Sequence, residues 1–170
     1  NASVDDSAQA VATAYPDATL VTLPENVGFA AAVNRGVAIG VAPHILLLNN
    51  DARLGPDALD RMRQALGSQR VAAVGPHLLG PDGQTELSLD RTLSFWSEAH
   101  FKVLGALYDS GRGPMEAYVR RLYANSRDVS SLSGACILLR REAFEKVDGF
   151  DERFFLYAED IDLCLRLRQM

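Results

Sequence analysis

Polar residues able to bind a cation or a hydroxyl group follow an apolar run near the middle of the chain. Residues 45–48 read Ile-Leu-Leu-Leu, and Asn49, Asn50 and Asp51 come directly after them. Asp51 offers the hard oxygen ligand that Mg²⁺ and Mn²⁺ prefer, and the two asparagines suit a ribose hydroxyl or a metal-bound water. Because Asn-Asn-Asp also favours turns, spacing alone leaves a plain turn as an equal alternative.

A second acidic group lies near the end of the chain. Glu159 and Asp160 follow an aromatic run. A helix that begins near residue 158 places Asp160 on one face with three apolar residues, Leu163, Cys164 and Leu167. An inward carboxylate is costly unless it is paired or functional, so Asp160 is a candidate general base. The alternative is that these acids only stabilise the dipole of the first helical turn.

Two segments rich in small residues would let a ligand approach the backbone. Gly28 follows Asn26 and opens an alanine-rich helical pattern, in which Asn34 is an isolated polar residue. Free N–H groups at such a helix start suit an anion. Gly134 and Ala135 precede a predicted strand, where small side chains permit close approach. Both patterns are also typical of tight packing without a ligand, and that alternative stays open.

Helix and strand patterns alternate along the chain. The spacing predicts helices over 5–15, 28–41, 56–66 and 141–146 and from about 158, strands over 18–23, 45–48, 71–74 and 135–139, and a turn at Pro81-Asp82-Gly83. This alternation predicts an α/β fold with a mostly parallel sheet and helices on both faces. Ligands of such sheets bind beyond the carboxyl ends of the strands, where Asn49 to Asp51 would lie.

Residues 91–127 differ from the rest in charge. They hold six Lys or Arg against three acids in a chain whose net charge is −5, together with many aromatic residues. A break at 111–114 predicts two helices. We expect this helical segment to face the acceptor and to contact a membrane surface; a hairpin that only covers the sheet is the equal alternative.

Composition narrows the function classes. The length of 170 residues and the 48% apolar content suit one soluble domain. The net charge of −5 argues against a general nucleic-acid-binding protein, which needs a basic face. Cys136 and Cys164 lie in apolar stretches without metal-ligand spacing, as buried thiols do in a reducing cytosol. The sequence shows neither a signal peptide nor an apolar run of the roughly 20 residues that span a membrane.

The order of the motifs resembles a known family. NASVDDS, NVGFAAAVNRG, LLLNNDARL and SLSGACILLRREAFEKVDGFDERFFLYAEDIDLCLRL follow one another, and together they resemble the family 2 glycosyltransferases, which have the GT-A fold, and among them the bacterial rhamnosyltransferase-like branch. The resemblance implies inverting transfer of a sugar from a nucleotide-diphosphate donor to a saccharide or polyprenyl-pyrophosphate-linked acceptor in cell-envelope polysaccharide synthesis. It implies Mg²⁺ or Mn²⁺ as cofactor, TDP-rhamnose as a candidate donor, and a cytoplasmic location at the inner face of the plasma membrane.

The resemblance also implies roles for individual residues. Asn49 to Asp51 occupy the place of the family's DxD-type motif, with Asp51 as the metal ligand and Asn49 in place of the more usual Asp. Glu159-Asp160 matches the ED motif, with Asp160 as the base. The other implied contacts are with the donor, through Ser3, Asn26, Gly28, Asn34, Asn49 and Asn50, and with the acceptor or sugar, through Gly134, Ala135 and Glu159.

Family members also have strands before the position of residue 1 and segments after that of residue 170. We therefore expect residues 1–170 to be one partial domain, with 91–127 as its acceptor-side insertion, and the isolated chain to lack full activity. Two alternatives remain. One is a sugar nucleotidyltransferase, whose phosphate-binding loop would precede residue 1. The other is a noncatalytic nucleotide-sugar-binding module, against which the intact Asp51 and Asp160 argue.

Overall fold

A computed structural model describes residues 1–86 and 113–170 of the chain. Six helices and three strands occur within these ranges: α1 Ser7–Ala14, α2 Phe29–Ile39, β1 His44–Leu48, α3 Ala58–Ala65, β2 Ala73–Val74, α4 Gly113–Leu122, β3 Cys136–Arg140, α5 Arg141–Lys146 and α6 Glu159–Arg168. Most of the predicted elements are confirmed, with ends that shift by at most two residues. The hairpin turn at 80–83 is also confirmed, by a hydrogen bond of 2.9 Å from Gly83 N to Gly80 O.

The sheet has the strand order β1-β3-β2. Both outer strands pair with β3 antiparallel; Leu48 faces Cys136 on one side, and Val74 faces Leu138 on the other. The α/β class is confirmed, but these pairings differ from the expected parallel ladder. The helix between β1 and β2 does make those two strands run in the same direction. β3 comes much later in the chain and inserts between them in the opposite direction.

Helices cover both faces of the sheet, and successive apolar side chains of β1 and β3 pack alternately against the two layers. Ile45, Leu47, Ile137 and Leu139 lie on one face in a core with α2, α5, α6 and Phe150. Cys136 and Leu138 lie on the other face with Met62 of α3 and with Leu66, the residue that follows α3. Burial raises the pKa of both cysteine thiols, so they are unreactive core residues, as predicted.

The predicted strand over 18–23 does not form. Leu20 and Val21 are exposed, and the described backbone contact of this stretch with another segment is a single hydrogen bond from Ala2 N to Leu23 O. Helix α1 likewise contributes no buried residue. β-branched residues favour a strand only where a neighbouring strand completes the ladder, and the described residues supply none here.

Most of the basic segment 91–127 lies outside the described residues. Its last part contains α4, which confirms the second of the two predicted helices, and Val119 of that helix is buried. Its proposed contact with an acceptor or a membrane stays a prediction. Among the described residues, no helix combines the length and apolarity needed to cross a bilayer.

Candidate functional site

The end of β1 lies beside the loop that leads into β3. The backbone N–H of Asn49 donates to Ala135 O at 3.0 Å, which extends the β1–β3 ladder by one bond beyond Leu48. A turn then closes with Ala52 N donating to Asn49 O at 3.1 Å, and Asn50 and Asp51 are exposed at its tip. The strand therefore ends where the polar residues begin, and its last ladder bond fixes them next to the loop 133–135.

The same loop holds the carboxylate at the start of α6. Asp160 Oδ2 accepts a hydrogen bond from Gly134 N at 2.9 Å, and Oδ1 accepts one from Ile161 N at 2.8 Å. Two backbone donors thus fix the orientation of this half-buried side chain, while each oxygen keeps an acceptor site for another partner. Bonds on the successive residues Gly134 and Ala135 join the start of α6 to the end of β1, and so bring Asp160 near Asn49.

Glu159 is the more deeply buried acid of the pair. It is 6% exposed, and its Oε2 has no hydrogen-bond partner among the described residues. Burial raises the pKa of Glu159, and the charge of Asp160 adds to the rise. Glu159 lies in the i, i+4 row of buried Leu163 and Leu167, whereas Asp160 is half-buried. The expectation of an inward carboxylate thus applies first to Glu159.

The backbone that leads into α6 has an uncommon conformation. Tyr157 and Ala158 are both left-handed, with φ values of 69° and 70°, a region that side chains with a Cβ rarely adopt. Two such residues in succession turn the chain sharply before the helix begins. Tyr157 and Ala158 directly precede Glu159 and Asp160. Backbone strain of this kind is common at active sites and ligand-binding sites.

The first residue of α2 binds the loop that leads into α6. Phe29 N donates to Phe155 O at 2.9 Å. Gly28 has a φ of +85°, and a Cβ at this position would lie 2.6 Å from Phe155 O. Only glycine allows this close approach. The structure thus brings Gly28 to the loop that carries the acid pair.

Asparagine side chains hold the segment before α2. Asn1 Oδ1 accepts from Val27 N at 2.9 Å, and its amide donates to Asn26 Oδ1 at 2.9 Å and to Gly28 O at 3.1 Å. Asn26 Oδ1 also accepts from Gly28 N at 3.0 Å. Ser3 follows this network and is exposed. The central contact, Asn1, was not among the predicted site residues because its partners lie 25 to 27 residues away.

The expectation of free N–H donors at the start of α2 does not hold for its first three candidates. Val27 N, Gly28 N and Phe29 N all donate within the protein, to Asn1, Asn26 and Phe155. Binding of the donor by Asn26 and Gly28 stays a prediction. In the described structure their contacts shape the loop.

Asn34 has a structural contact away from that loop. Its amide donates to Phe150 O at 2.9 Å and to Glu152 Oε1 at 3.1 Å, and its oxygen accepts from Phe150 N at 3.0 Å. The Asn34 side chain therefore pairs with both the N–H and the carbonyl of Phe150, as a neighbouring strand would, and stabilises the turn after α5. A role in donor binding is untested, and these bonds alone account for a polar residue in this helix.

Arg166 is a second contact that the prediction missed. Its guanidinium donates to Asp162 Oδ2 at 2.8 Å within α6 and to Gly149 O at 2.8 Å in the turn after α5. The available signal was the i, i+4 spacing of Asp162 and Arg166, which is typical of a helical ion pair. This pair orients α6, whose first turn carries Glu159 and Asp160.

The side chains at the end of β1 fit a cation that is shared with a substrate. Among the described residues, no group of three or more His, Cys, Asp or Glu side chains is arranged to hold a metal ion. Mg²⁺ is commonly bound by one or two carboxylates, with substrate phosphates and waters as its other ligands. The exposed Asp51 suits that arrangement, and the described residues do not suit an ion held by protein alone.

The whole chain, residues 1–170, matches the family model described as glycosyltransferase like family 2. The chain belongs to this family. It is 36% identical over 181 aligned positions to the N-acetylglucosaminyl-diphospho-decaprenol L-rhamnosyltransferase of Mycobacterium tuberculosis. This alignment covers 98% of this chain and 58% of that protein. It is 31% identical over 145 positions to the O-antigen biosynthesis protein RfbC of Myxococcus xanthus, covering 80% of this chain and 10% of that protein.

A shorter similarity connects this family 2 chain with the rhamnosyltransferase WbbL of Escherichia coli, at 54% identity over 35 residues, or 21% of this chain and 13% of that protein. No solved structure matches the chain. Family membership confirms the resemblance read from the motifs and supports the GT-A fold. Because the chain spans little more than half of the mycobacterial relative, the activity of the whole protein is a proposal.

Proposed function

We propose that the full-length protein is an inverting glycosyltransferase that transfers a sugar from a nucleotide-diphosphate donor to a saccharide or polyprenyl-diphosphate-linked acceptor in cell-envelope polysaccharide synthesis. One observation carries this proposal: the loop 133–135 binds both the end of β1, through Asn49, and the carboxylate of Asp160. Donor and acceptor chemistry would thereby meet at one edge of the sheet. Family membership and the rhamnosyltransferase relatives support transfer over nucleotidyl chemistry.

The chemical step follows from the position of Asp160. The acceptor hydroxyl oxygen bonds to the anomeric carbon from the face opposite the diphosphate, the bond from that carbon to the diphosphate oxygen breaks, and Asp160 takes the hydroxyl proton. The products are the glycosylated acceptor and the nucleoside diphosphate. The bonds from Gly134 N and Ile161 N hold the base in place before the acceptor arrives.

Asp51 is our proposed ligand for Mg²⁺ or Mn²⁺, with Asn49 and Asn50 as donor contacts. A divalent cation at this position would offset the charge of the diphosphate leaving group. This arrangement explains how a chain of net charge −5 accommodates an anionic donor. The Asp51 carboxylate accepts no hydrogen bond from the described residues, so it is available for that contact.

The rhamnosyltransferase relatives make L-rhamnose the first sugar to test, with TDP-rhamnose as donor and an N-acetylglucosaminyl-diphospho-polyprenol as acceptor. The mycobacterial relative carries this acceptor and sugar in its name. With a lipid-linked acceptor, we propose that the reaction takes place at the cytoplasmic face of the membrane and that residues 91–127 contact its surface. Flotation with anionic liposomes at low salt tests that contact, and a protein that stays unbound contradicts it.

The direct test uses the full-length protein and a panel of nucleotide sugars, with and without Mn²⁺. We expect one donor to raise the melting temperature in a Mn²⁺-dependent way and to support transfer to a short-chain N-acetylglucosaminyl-diphospho-prenol. NMR of the product should show inversion at the anomeric carbon. A product of retained configuration, or the absence of transfer with every donor, would overturn the proposal.

A further inference from the structure

Three consecutive large apolar side chains are exposed immediately before α6. Phe155, Leu156 and Tyr157, which we call the aromatic ridge, are 57%, 54% and 79% exposed. Single exposed apolar residues are common, but a contiguous group indicates a surface with a binding role. The ridge ends three residues before Asp160, the proposed base.

The ridge is held in a defined shape. The contact of Phe29 N with Phe155 O and the close approach of Gly28 fix its first residue. The left-handed Tyr157 and Ala158 fix its last residue and turn the chain into α6. The backbone therefore holds the Tyr157 side chain in solvent even though its conformation is unfavourable. Such a strained, exposed aromatic residue next to a base indicates a role in positioning a substrate.

Charge around the ridge selects among possible occupants. Residues 148–162 contain one basic residue, Arg153, and six acidic residues, Asp148, Asp151, Glu152, Glu159, Asp160 and Asp162. Arg153 pairs with Asp151 at 2.5 Å, and Arg166 of α6 pairs with Asp162 at 2.7 Å. Because Glu159 is buried, the acids that keep their charge without a described ion pair are Asp148, Glu152 and Asp160. The remaining negative charge disfavours anionic lipid headgroups. It suits an uncharged saccharide, whose hydroxyls donate to carboxylates and whose C–H face packs on an aromatic ring.

We propose that the aromatic ridge is the platform for the neutral sugar ring of the acceptor, with Tyr157 stacking on the ring and presenting its hydroxyl to Asp160. This assignment rests on the proposed sugar transfer. It makes Tyr157 an acceptor-binding residue, distinct from the donor contacts at Asn49 and Asn50. A sugar held by one stacked face also limits which hydroxyl can reach the base, so the ridge would contribute to linkage specificity.

The test compares Tyr157→Ala, Tyr157→Phe and Tyr15→Ala in the full-length enzyme. Tyr15 is also exposed and follows α1, so its variant controls for loss of a surface tyrosine. The probes are two N-acetylglucosaminyl-diphospho-prenols with a short and a long lipid, and donor affinity is measured separately by calorimetry. We expect Tyr157→Ala to raise the acceptor KM roughly tenfold, as loss of an aromatic contact does. Tyr157→Phe and Tyr15→Ala should stay within about twofold of wild type.

The outcomes separate this inference from the function on which it rests. A wild-type enzyme that transfers no sugar refutes the proposed function. If wild type is active, an acceptor KM unchanged in Tyr157→Ala overturns the platform. So does a fall in kcat at constant KM, since it would show that Tyr157 only positions Asp160. If Tyr157→Ala raises the acceptor KM equally for both lipids, the ridge contacts the sugar. An increase in KM that grows with lipid length would show that the ridge contacts the lipid and would overturn the proposed sugar platform.

Discussion

The two candidate acidic sites, Asp51 at the end of β1 and Asp160 at the start of α6, are built in opposite ways. The Asp51 carboxylate is exposed and accepts no hydrogen bond from the described residues. Asp160 is half-buried, and each of its oxygens accepts a backbone hydrogen bond. We call Asp51 the open acid, because it has no described hydrogen-bond partner, and Asp160 the held acid, because two backbone N–H groups fix its orientation.

The difference matches the chemistry proposed for each group. A metal ligand of this kind completes its site only when substrate phosphates arrive, so protein partners for Asp51 would compete with the ion. A general base must already point at the reacting hydroxyl, because ordering it during the reaction would add to the barrier. Local hydrogen bonding thus distinguishes two carboxylates that look alike in the sequence.

The strongest test of the held site is Asp160→Asn. The amide oxygen can still accept from Gly134 N, but the amide nitrogen cannot accept from Ile161 N, and neither atom can take the acceptor's proton. Turnover should therefore fall at least ~10²-fold while donor affinity persists. Transfer rates and calorimetric donor titration on the full-length protein measure both quantities. Asp17→Asn, at an exposed turn, is the matched control, and a fully active Asp160→Asn enzyme would remove this residue from the role of base.

The open site is tested by Asp51→Ala. We expect the variant to lose the part of donor affinity that depends on Mg²⁺ or Mn²⁺, and to keep the stability of wild type because its carboxylate has no described protein partner. Donor titrations with and without the cation provide the measurement. The comparison between open and held acids fails if wild-type affinity does not depend on the cation, or if Asp51→Ala retains that dependence.

The local parts of this arrangement were predictable from the sequence. An apolar run followed by Asn49 to Asp51 predicts a buried strand with a polar end, because burial of the strand and exposure of its end both follow from residue type. Acids at the first turn of α6 similarly follow from capping and dipole preferences. Each of these signals lies within about ten residues.

The remaining parts depend on contacts between distant segments. Asn34 binds Phe150, 116 residues away, and Gly28 is required by a carbonyl 127 positions later in the chain, that of Phe155. The insertion of β3 between β1 and β2 is also non-local. A glycine or asparagine in a helix start has many local explanations, and only the packed structure shows which neighbour requires it. The strand predicted over 18–23 also depends on a non-local contact, and the described residues supply no neighbouring strand for it.

Gly28→Ala tests the close contact between Gly28 and Phe155, which fixes the loop before the held acid, Asp160. The new Cβ would lie 2.6 Å from Phe155 O at a φ of +85°, so we expect a loss of about 1–3 kcal/mol in the free energy of unfolding. Gly36→Ala, inside the helix α2 that follows Gly28, is the control, because a Cβ at Gly36 meets nothing within 4 Å. That change should stabilise the protein by up to about 1 kcal/mol. Urea unfolding that shows similar effects for both variants would contradict the close contact between Gly28 and the ridge.

The smallest expected effect concerns Glu159, the buried neighbour of the held acid. Burial raises the pKa of Glu159 above its ordinary value of 4.5, so the folded protein binds this proton more tightly than the unfolded chain does. Stability from the protonated form is therefore full below the unfolded pKa and is lost as the pH rises through the folded pKa. Glu159→Gln removes this titration.

Unfolding free energies of wild type and Glu159→Gln, measured from pH 4 to pH 7, check this expectation. The wild-type value minus the Glu159→Gln value should decrease as the pH rises. Glu142→Gln, at an exposed acid in the first turn of α5, is the control for loss of a surface carboxylate. A Glu159 difference that increases with pH would show that the ionised carboxylate is stabilised in the fold. Glu159 would then have an undetected partner, and the held side of the site would contain two fixed acids.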